Sequence, residues 1–275
     1  MLLLGCDFSS SPNARKPIVV ALGLVQDKCV QLTGFECFAS LTAWGQWLAE
    51  TPEWIGAFDF PFGLPRELVV HLGWPLEWPR LIDHYAALRR SEIRETFASF
   101  CASRPVGGKF AHRATDVPAG SSSSMKWVNP PVAFMLQAGV PCLIRAGADF
   151  PAVHRSQGDS GRRIALEGYP GLLARELIGR RSYKSDDSAS QTPERRLARG
   201  ELVAAVQEGS TRLGLKLAVP APLHHRLLED AKGDFIDAAL CLVQAAWGAS
   251  RKTSAGPGYG LPETLDPLEG WIVTA

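Results

Sequence analysis

The sequence predicts an α/β fold built on a mixed sheet, and three observations predict it. Apolar, strand-like runs and one helical run come in the order strand, strand, strand, helix, strand within the opening segment that ends at GAFDF. After a long irregular region, a strand followed directly by a helix returns in RRIALEGYPGLLARELIG. Three of the strand-like runs stop on a carboxylate: Asp7 after MLLLGC, Asp59 after WIGAF and Glu167 after IAL.

The elements follow in order. MLLLGCDF leads through the turn-rich SSSPNARK into PIVVALGLV, and the short QDK turn leads into CVQLTGFECF, which together read as an antiparallel meander. LTAWGQWLAE carries apolar residues at helical spacing and EWIGAFDF supplies the next strand. A helical crossover lets that fourth strand lie parallel to the first, which makes the first strand central in a mixed sheet. From about Pro79 to Ser160 the pattern changes to an amphipathic helix, LIDHYAALRRSEIRETFASFCA, and a loop, RPVGGKFAHRATDVPAGSSSSMKW. A loop of that length without periodicity predicts a functional flap or a disordered segment. The strand and helix of RRIALEGYPGLLARELIG follow, then the PERRLARGELVAAVQEG helix, the apolar HHRLLEDAKGDFIDAALCLVQAAWGAS, and a Pro/Gly-rich tail ending in a short strand at WIVTA. The expectation is one domain over 1–275: a five-stranded mixed sheet in the order β-β-β-α-β-α-β-α, flanked by helices, with an insertion at about 79–160.

Bulk properties narrow the function. At 275 residues, 46% hydrophobic and 21% charged, the chain has ordinary globular values. Its apolar stretches fall short of the ~20 residues that span a bilayer, and the N-terminus has no basic region followed by a cleavage site. No membrane partner and a cytoplasmic location are therefore expected. A net charge of +1 excludes a protein that coats nucleic acid by bulk charge, while the basic stretch from Arg155 to Arg199 leaves room for a local groove. The six cysteines show no C-x-x-C spacing and read as reduced core thiols. His224 and His225 lack zinc-site spacing, and Trp44 and Trp47 fall at core spacing.

The acids carry the chemistry. Asp234 and Asp237 lie within AKGDFIDAALCLVQAAW, where burying charge is costly unless it is compensated. Their spacing puts both on one helix face, continued by Asp230, Cys241 and Gln244. Two carboxylates so placed repel unless a cation sits between them, and Mg²⁺ or Mn²⁺ takes such oxygen ligands. With Asp7, Asp59 and Glu167 at strand ends, the set predicts a metal-assisted phosphate chemistry. Asp7, Asp59, Glu167, Asp234 and Asp237 are the catalytic candidates, and Asp7, Asp59, Glu167 and Asp237 the metal ligands. Each acid taken alone has an ordinary alternative: Asp7 and Asp59 as turn formers, Glu167 paired with Arg162 or Arg163, Asp234 as a helix cap. Lys109, His112, Arg113 and Asp116 in GGKFAHRATD form a polar loop able to close over a phosphate, and Lys184 in SYKSDD is a further cation. Lys109, Arg113 and Lys184 are therefore the substrate-binding candidates.

The segments GCDFSSS, GAFDFPFGLP, LEGYPGLL and GDFIDAALCLVQAA resemble the motifs of the family known as domain of unknown function 429, regarded as ribonuclease H-like. The resemblance spans most of the chain. In that family a strand-1 aspartate, an Asp-x-Pro strand end, a Glu-x-Tyr-Pro motif and an Asp-x-x-Asp-Ala helix recur. This sequence matches them with Asp7, Asp59 and Pro61, Glu167 with Tyr169 and Pro170, and Asp234 with Asp237 and Ala238. The resemblance implies a ribonuclease H-like fold of the nuclease and resolvase branch, with Asp7 the bridging metal ligand and Asp237 next. Asp59 and Glu167 compete to complete the shell. Resolvase-like enzymes commonly work as pairs, so the resemblance puts a homodimer beside a monomer as the alternatives for oligomeric state.

The function expected is a metal-dependent nuclease or phosphodiesterase acting on DNA or RNA with Mg²⁺ or Mn²⁺. Two alternatives stand beside it. ATP-dependent phosphoryl transfer of the actin-like or sugar-kinase type shares this fold, but GCDFSSS lacks a glycine just after the aspartate and the chain is short for two facing copies. A non-catalytic binding module would keep the fold and retain the acids as relics.

Overall fold

The computed structural model describes residues 1–157, 161–253 and 256–275. Strand β1 (Leu2–Asp7) pairs antiparallel with β2 (Ile18–Gln26), and β2 with β3 (Cys29–Phe38). Helix α1 (Leu41–Glu50), capped by the Ser40 hydroxyl, crosses back so that β4 (Trp54–Phe58) runs parallel to β1. Helices α2 (Arg66–His71), α3 (Trp78–Ala87), α4 (Arg90–Ala102), α5 (Asp116–Ala119) and α6 (Val132–Arg145) fill the chain before β5 (Arg163–Glu167), which is parallel to β4. Then come α7 (Pro170–Ile178), α8 (Pro193–Glu208), the edge strand β6 (Lys216–Ala218), α9 (Ala221–Glu229) and α10 (Asp234–Ala249). The sheet order is β5-β4-β1-β2-β3-β6, so β1 is central as expected.

Three expectations are corrected. The sheet has six strands, not five: the three residues Lys216–Ala218 pair parallel with Cys29–Gln31, and so short a strand leaves no alternating pattern to read. WIVTA forms a single parallel bridge between Ile272 and Glu167 instead of a strand, because left-handed residues at Gly270 (φ 67°) and Thr274 (φ 76°) turn the chain on either side. The helix expected over LIDHYAALRRSEIRETFASFCA is two, because Leu88 and Arg89 are extended, and Glu92 folds back to accept the Arg89 backbone N–H at 2.7 Å. The predicted insertion, about 79–160, overlaps the run of helices from Arg66 to Arg145, which begins before it, and takes in the connection from α6 towards β5.

Strand alternation sorts the side chains onto two faces. Leu4, Cys6, Phe58 and Ala165 join the aromatic core under α1, α3, α4 and α6, where Trp44, Trp54, Trp78 and Phe97 are buried. Leu3, Ile55, Ala57, Ile164 and Leu166 face the other core, built by α7, α8 and α10. Asp7 shares the parity of Leu3, and Asp59, just past β4, that of Ile55 and Ala57. Both acids thus fall on the α10 side. Glu167 has the parity of Ala165 and falls on the side of the aromatic core.

One glycine sets how closely α10 approaches. A Cβ on Gly5 would overlap the Ala238 carbonyl and the Leu242 backbone, so the helix rests directly on β1 and brings Asp237, one residue before Ala238, to the end of that strand. Gly5→Ala is expected to push α10 off the sheet and lower stability by about 1–3 kcal/mol, the usual cost of overpacking. Urea denaturation checks this; an unchanged midpoint would show that the contact tolerates the methyl.

Among the described residues no helix is long and apolar enough to cross a membrane.

Candidate metal centre and adjoining cavity

Asp7, Asp59 and Asp237 converge where β1, β4 and α10 meet, with one carboxylate oxygen from each lying within 4.8 Å of the others. Three features of the chain put them there. Asp7 is the last residue of β1, paired in register with Val19. Asp59 follows β4 directly, and its backbone N–H donates to the Cys6 carbonyl at 2.9 Å, which fixes it beside β1. Asp237 lies in the first turn of α10, whose start is set by Gly233 (φ 76°) and by Asp230 accepting the Lys232 and Phe235 backbone N–H groups at 3.1 and 3.0 Å. Acids in a helix's first turn also meet the positive end of its dipole.

The three differ in their partners. Asp237 is wholly buried and accepts from the Tyr183 hydroxyl and the Lys184 ammonium. Asp7 and Asp59 are partly buried, and among the described residues neither carboxylate has a hydrogen bond or ion pair. Asp234 stands outside the triad, with Lys16 Nζ 3.9 Å away; Lys16 itself binds Asp186 at 2.6 Å. Sequence reasoning missed Tyr183 and Lys16, both of which lie in polar, turn-rich stretches far from the acids in the chain.

Glu167 does not join the triad, which corrects its assignment as a fourth metal ligand. Its parity points it to the opposite side of the sheet. There the Arg113 guanidinium donates to both of its oxygens, at 2.7 and 2.9 Å, and the Phe62 N–H donates at 2.9 Å. Arg113 also donates to Asp116 Oδ1 at 2.9 and 3.1 Å and to the Glu269 carbonyl at 2.9 Å. The loop expected as a functional flap or a disordered segment is packed: Arg113, Thr115, Asp116, Ser123 and Met125 are buried. Arg113 is therefore a buried clamp between the insertion, β5 and the C-terminal tail, with its donors already taken. Lys109 is exposed and away from the cavity. Lys184 sits at the triad as an ion-pair partner of Asp237.

A cavity of about 590 Å³ adjoins the triad. Asp59 and Lys184 line it, the Arg113–Glu167 pair forms part of its wall, and Tyr169, Val132 and Met135 give it apolar surface. Tyr169 is held by the Gln244 side-chain Oε1, which accepts its backbone N–H at 2.9 Å, and Arg175 covers its ring at 5.2 Å.

Burial, then repulsion from Asp237, pushes the Asp59 carboxyl up to about 7, and burial with repulsion from Asp237 and Asp234 pushes Asp7 well above the carboxylate range. Burial also raises Asp234 to about 6 against the pull of Lys16. An acid raised by folding binds its proton more tightly in the folded chain, so stability falls as pH climbs from the unfolded value to the folded one. The metal-free protein is thus expected to lose stability between about pH 4 and pH 8. Asp59→Asn removes its share, a gain of roughly 4 kcal/mol at pH 8 that vanishes near pH 4. Chemical denaturation in chelator at both pH values tests it, and equal stability of the two proteins at pH 8 would refute it.

Comparison of the chain with protein-family models, with curated proteins and with solved structures finds no match.

Proposed function

We propose that this chain is a metal-dependent phosphodiesterase of the ribonuclease H-like type, acting on nucleic acid with Mg²⁺ or Mn²⁺. One observation carries the reading: two partly buried carboxylates, Asp7 and Asp59, have no hydrogen-bond or ion-pair partner and share a site with the buried Asp237. Three oxygen donors of one sign, with too little protein charge to balance them, suit a hard divalent ion better than they suit an empty pocket. The mixed sheet with its central β1, and acids at the ends of β1 and β4 facing α10, agrees with the ribonuclease H-like arrangement. Membership in the family known as domain of unknown function 429 is part of what is proposed, and it rests on the resemblance of the four segments GCDFSSS, GAFDFPFGLP, LEGYPGLL and GDFIDAALCLVQAA.

A divalent ion held by Asp7, Asp59 and Asp237 supplies Lewis acidity toward a phosphate oxygen and lowers the pKa of water. The chain's own groups do the rest. Lys184, beside Asp237, offers ammonium donors to a phosphate oxygen, and the cavity wall orients the group attached to the phosphorus. Hydrolysis forms a bond from the water oxygen to phosphorus and breaks one ester P–O bond, the proton released by water balancing that taken up by the leaving oxygen. Asp234 lies one turn from this chemistry and helps set the local charge.

Calorimetric titration with Mn²⁺, paired with hydrolysis assays on single-stranded and duplex DNA and RNA, tests the proposal. Binding that disappears in Asp237→Asn, together with Mn²⁺-dependent cleavage, is the expected result. Absence of binding would sink the metal reading; binding without cleavage of any polymer would favour a non-catalytic module.

A further inference from the structure

The geometry points to a single nucleotide unit, a nucleoside monophosphate either free or at the end of a strand, as the ligand of the cavity beside the triad. This rests on the phosphodiesterase reading and narrows its substrate. Asp59 belongs both to the triad and to the cavity wall, so a phosphate placed at the triad has its attached group inside the cavity. At about 590 Å³ the space falls within the roughly 300–1,000 Å³ of small-ligand sites. A space of that size accommodates one sugar and base.

The lining matches the two halves of such a ligand. Val132 and Met135 from α6, Pro130 before them, and the Tyr169 ring give an apolar, partly aromatic surface of the kind a base packs against. A bare sugar phosphate would leave most of that surface without hydrogen bonds to its hydroxyls. Arg175, Arg180, Arg181 and Lys184 supply the positive side, and the acidic Glu167 is already neutralised by Arg113. These cations are not equally available. Arg175 is held by the Tyr169 hydroxyl and the Ala119 carbonyl, Arg181 by Glu201, and Lys184 by Asp237. Arg180 is exposed at the rim and, among the described residues, has no hydrogen bond or ion pair. The Ser122 hydroxyl on the same wall likewise has no partner. Beside the Asp59 carboxylate of the triad, Arg180 and Ser122 are thus polar groups of the cavity whose hydrogen-bonding capacity a ligand would complete.

The test uses the full chain loaded with Mn²⁺, titrated with the common nucleoside 5′-monophosphates, and compares Val132→Trp, which fills the space, with Arg180→Glu, which reverses the free charge. Neither residue belongs to the triad. Each variant is expected to weaken monophosphate binding by about tenfold or more, the loss of one charge-assisted contact or of the apolar space, while Mn²⁺ binding is unchanged. An end-labelled single strand should release mononucleotides and a closed circular duplex should stay intact; release of inorganic phosphate from the monophosphate would instead mark the free nucleotide as the substrate. Monophosphate binding that is absent in the Mn²⁺-loaded protein, or equal in all three proteins, overturns the assignment, as does cutting of the circular duplex. Monophosphate binding that persists where Mn²⁺ does not bind overturns the metal reading and leaves the cavity assignment standing.

Discussion

Asp7→Asn is expected to lower Mn²⁺-dependent hydrolysis by roughly 10³-fold or more while the chain folds as before. Loss of a group that only orients a metal ligand already costs about 10–100-fold, and loss of one preorganised electrostatic contact in a transition state about 10²–10³-fold. Asp7 stands above both cases because it would touch the ion directly, at the end of the central strand, with Asp59 and Asp237 on either side. The amide keeps the shape of the side chain and removes its charge. That charge is a burden to the metal-free fold, since burial and the neighbouring aspartates hold the carboxyl well above its ordinary range. The variant should therefore be at least as stable as the natural chain in chelator at about pH 8, yet gain nothing from added Mn²⁺. The two readouts move in opposite directions, which separates a site defect from a folding defect. An Asp7→Asn protein with full turnover would remove Asp7 from the mechanism.

Much of this arrangement was legible in the sequence because it depends on local pattern. The meander, the α1 crossover and the apolar helix α10 are each written in residue periodicity, and together they make β1 central and put Asp7 at its end. Asp7 and Asp237 were readable as a pair for the same reason. Glu167 was misplaced although the information was present: it lies in register with Phe58 and Cys6, not with Asp59 and Asp7, and a one-residue difference in parity sends a side chain to the other face of a sheet. The Arg113 clamp was not legible. It joins residues from the insertion, β5 and the tail, and nothing in GGKFAHRATD marks one of its cations as buried. Polar and aperiodic, the stretch predicts a flap or a disordered segment, whereas the Arg113–Asp116–Glu167 network compensates the charges it buries.

Lys184→Met is expected to destabilise the metal-free protein by about 3 kcal/mol, because removing one partner of an ion pair leaves the other charge buried and uncompensated. Among the described residues, Lys184 is the cation within ion-pair distance of Asp237, whose side chain is fully buried next to two other aspartates. The Tyr183 hydroxyl would remain as a donor, which offsets part of the cost but brings no charge. A divalent ion should then do for the variant what the ammonium does for the natural chain. Mn²⁺ is expected to raise the melting temperature of Lys184→Met more than that of the natural protein, and to bind it about tenfold more tightly, since the ion no longer shares Asp237 with a resident cation. Hydrolysis should nevertheless fall, because the same ammonium is positioned to meet a phosphate oxygen. Tighter metal binding with slower turnover is an outcome that a purely structural lysine would not give. Weaker Mn²⁺ binding in the variant would mean that Lys184 organises the three carboxylates and does not compete for them.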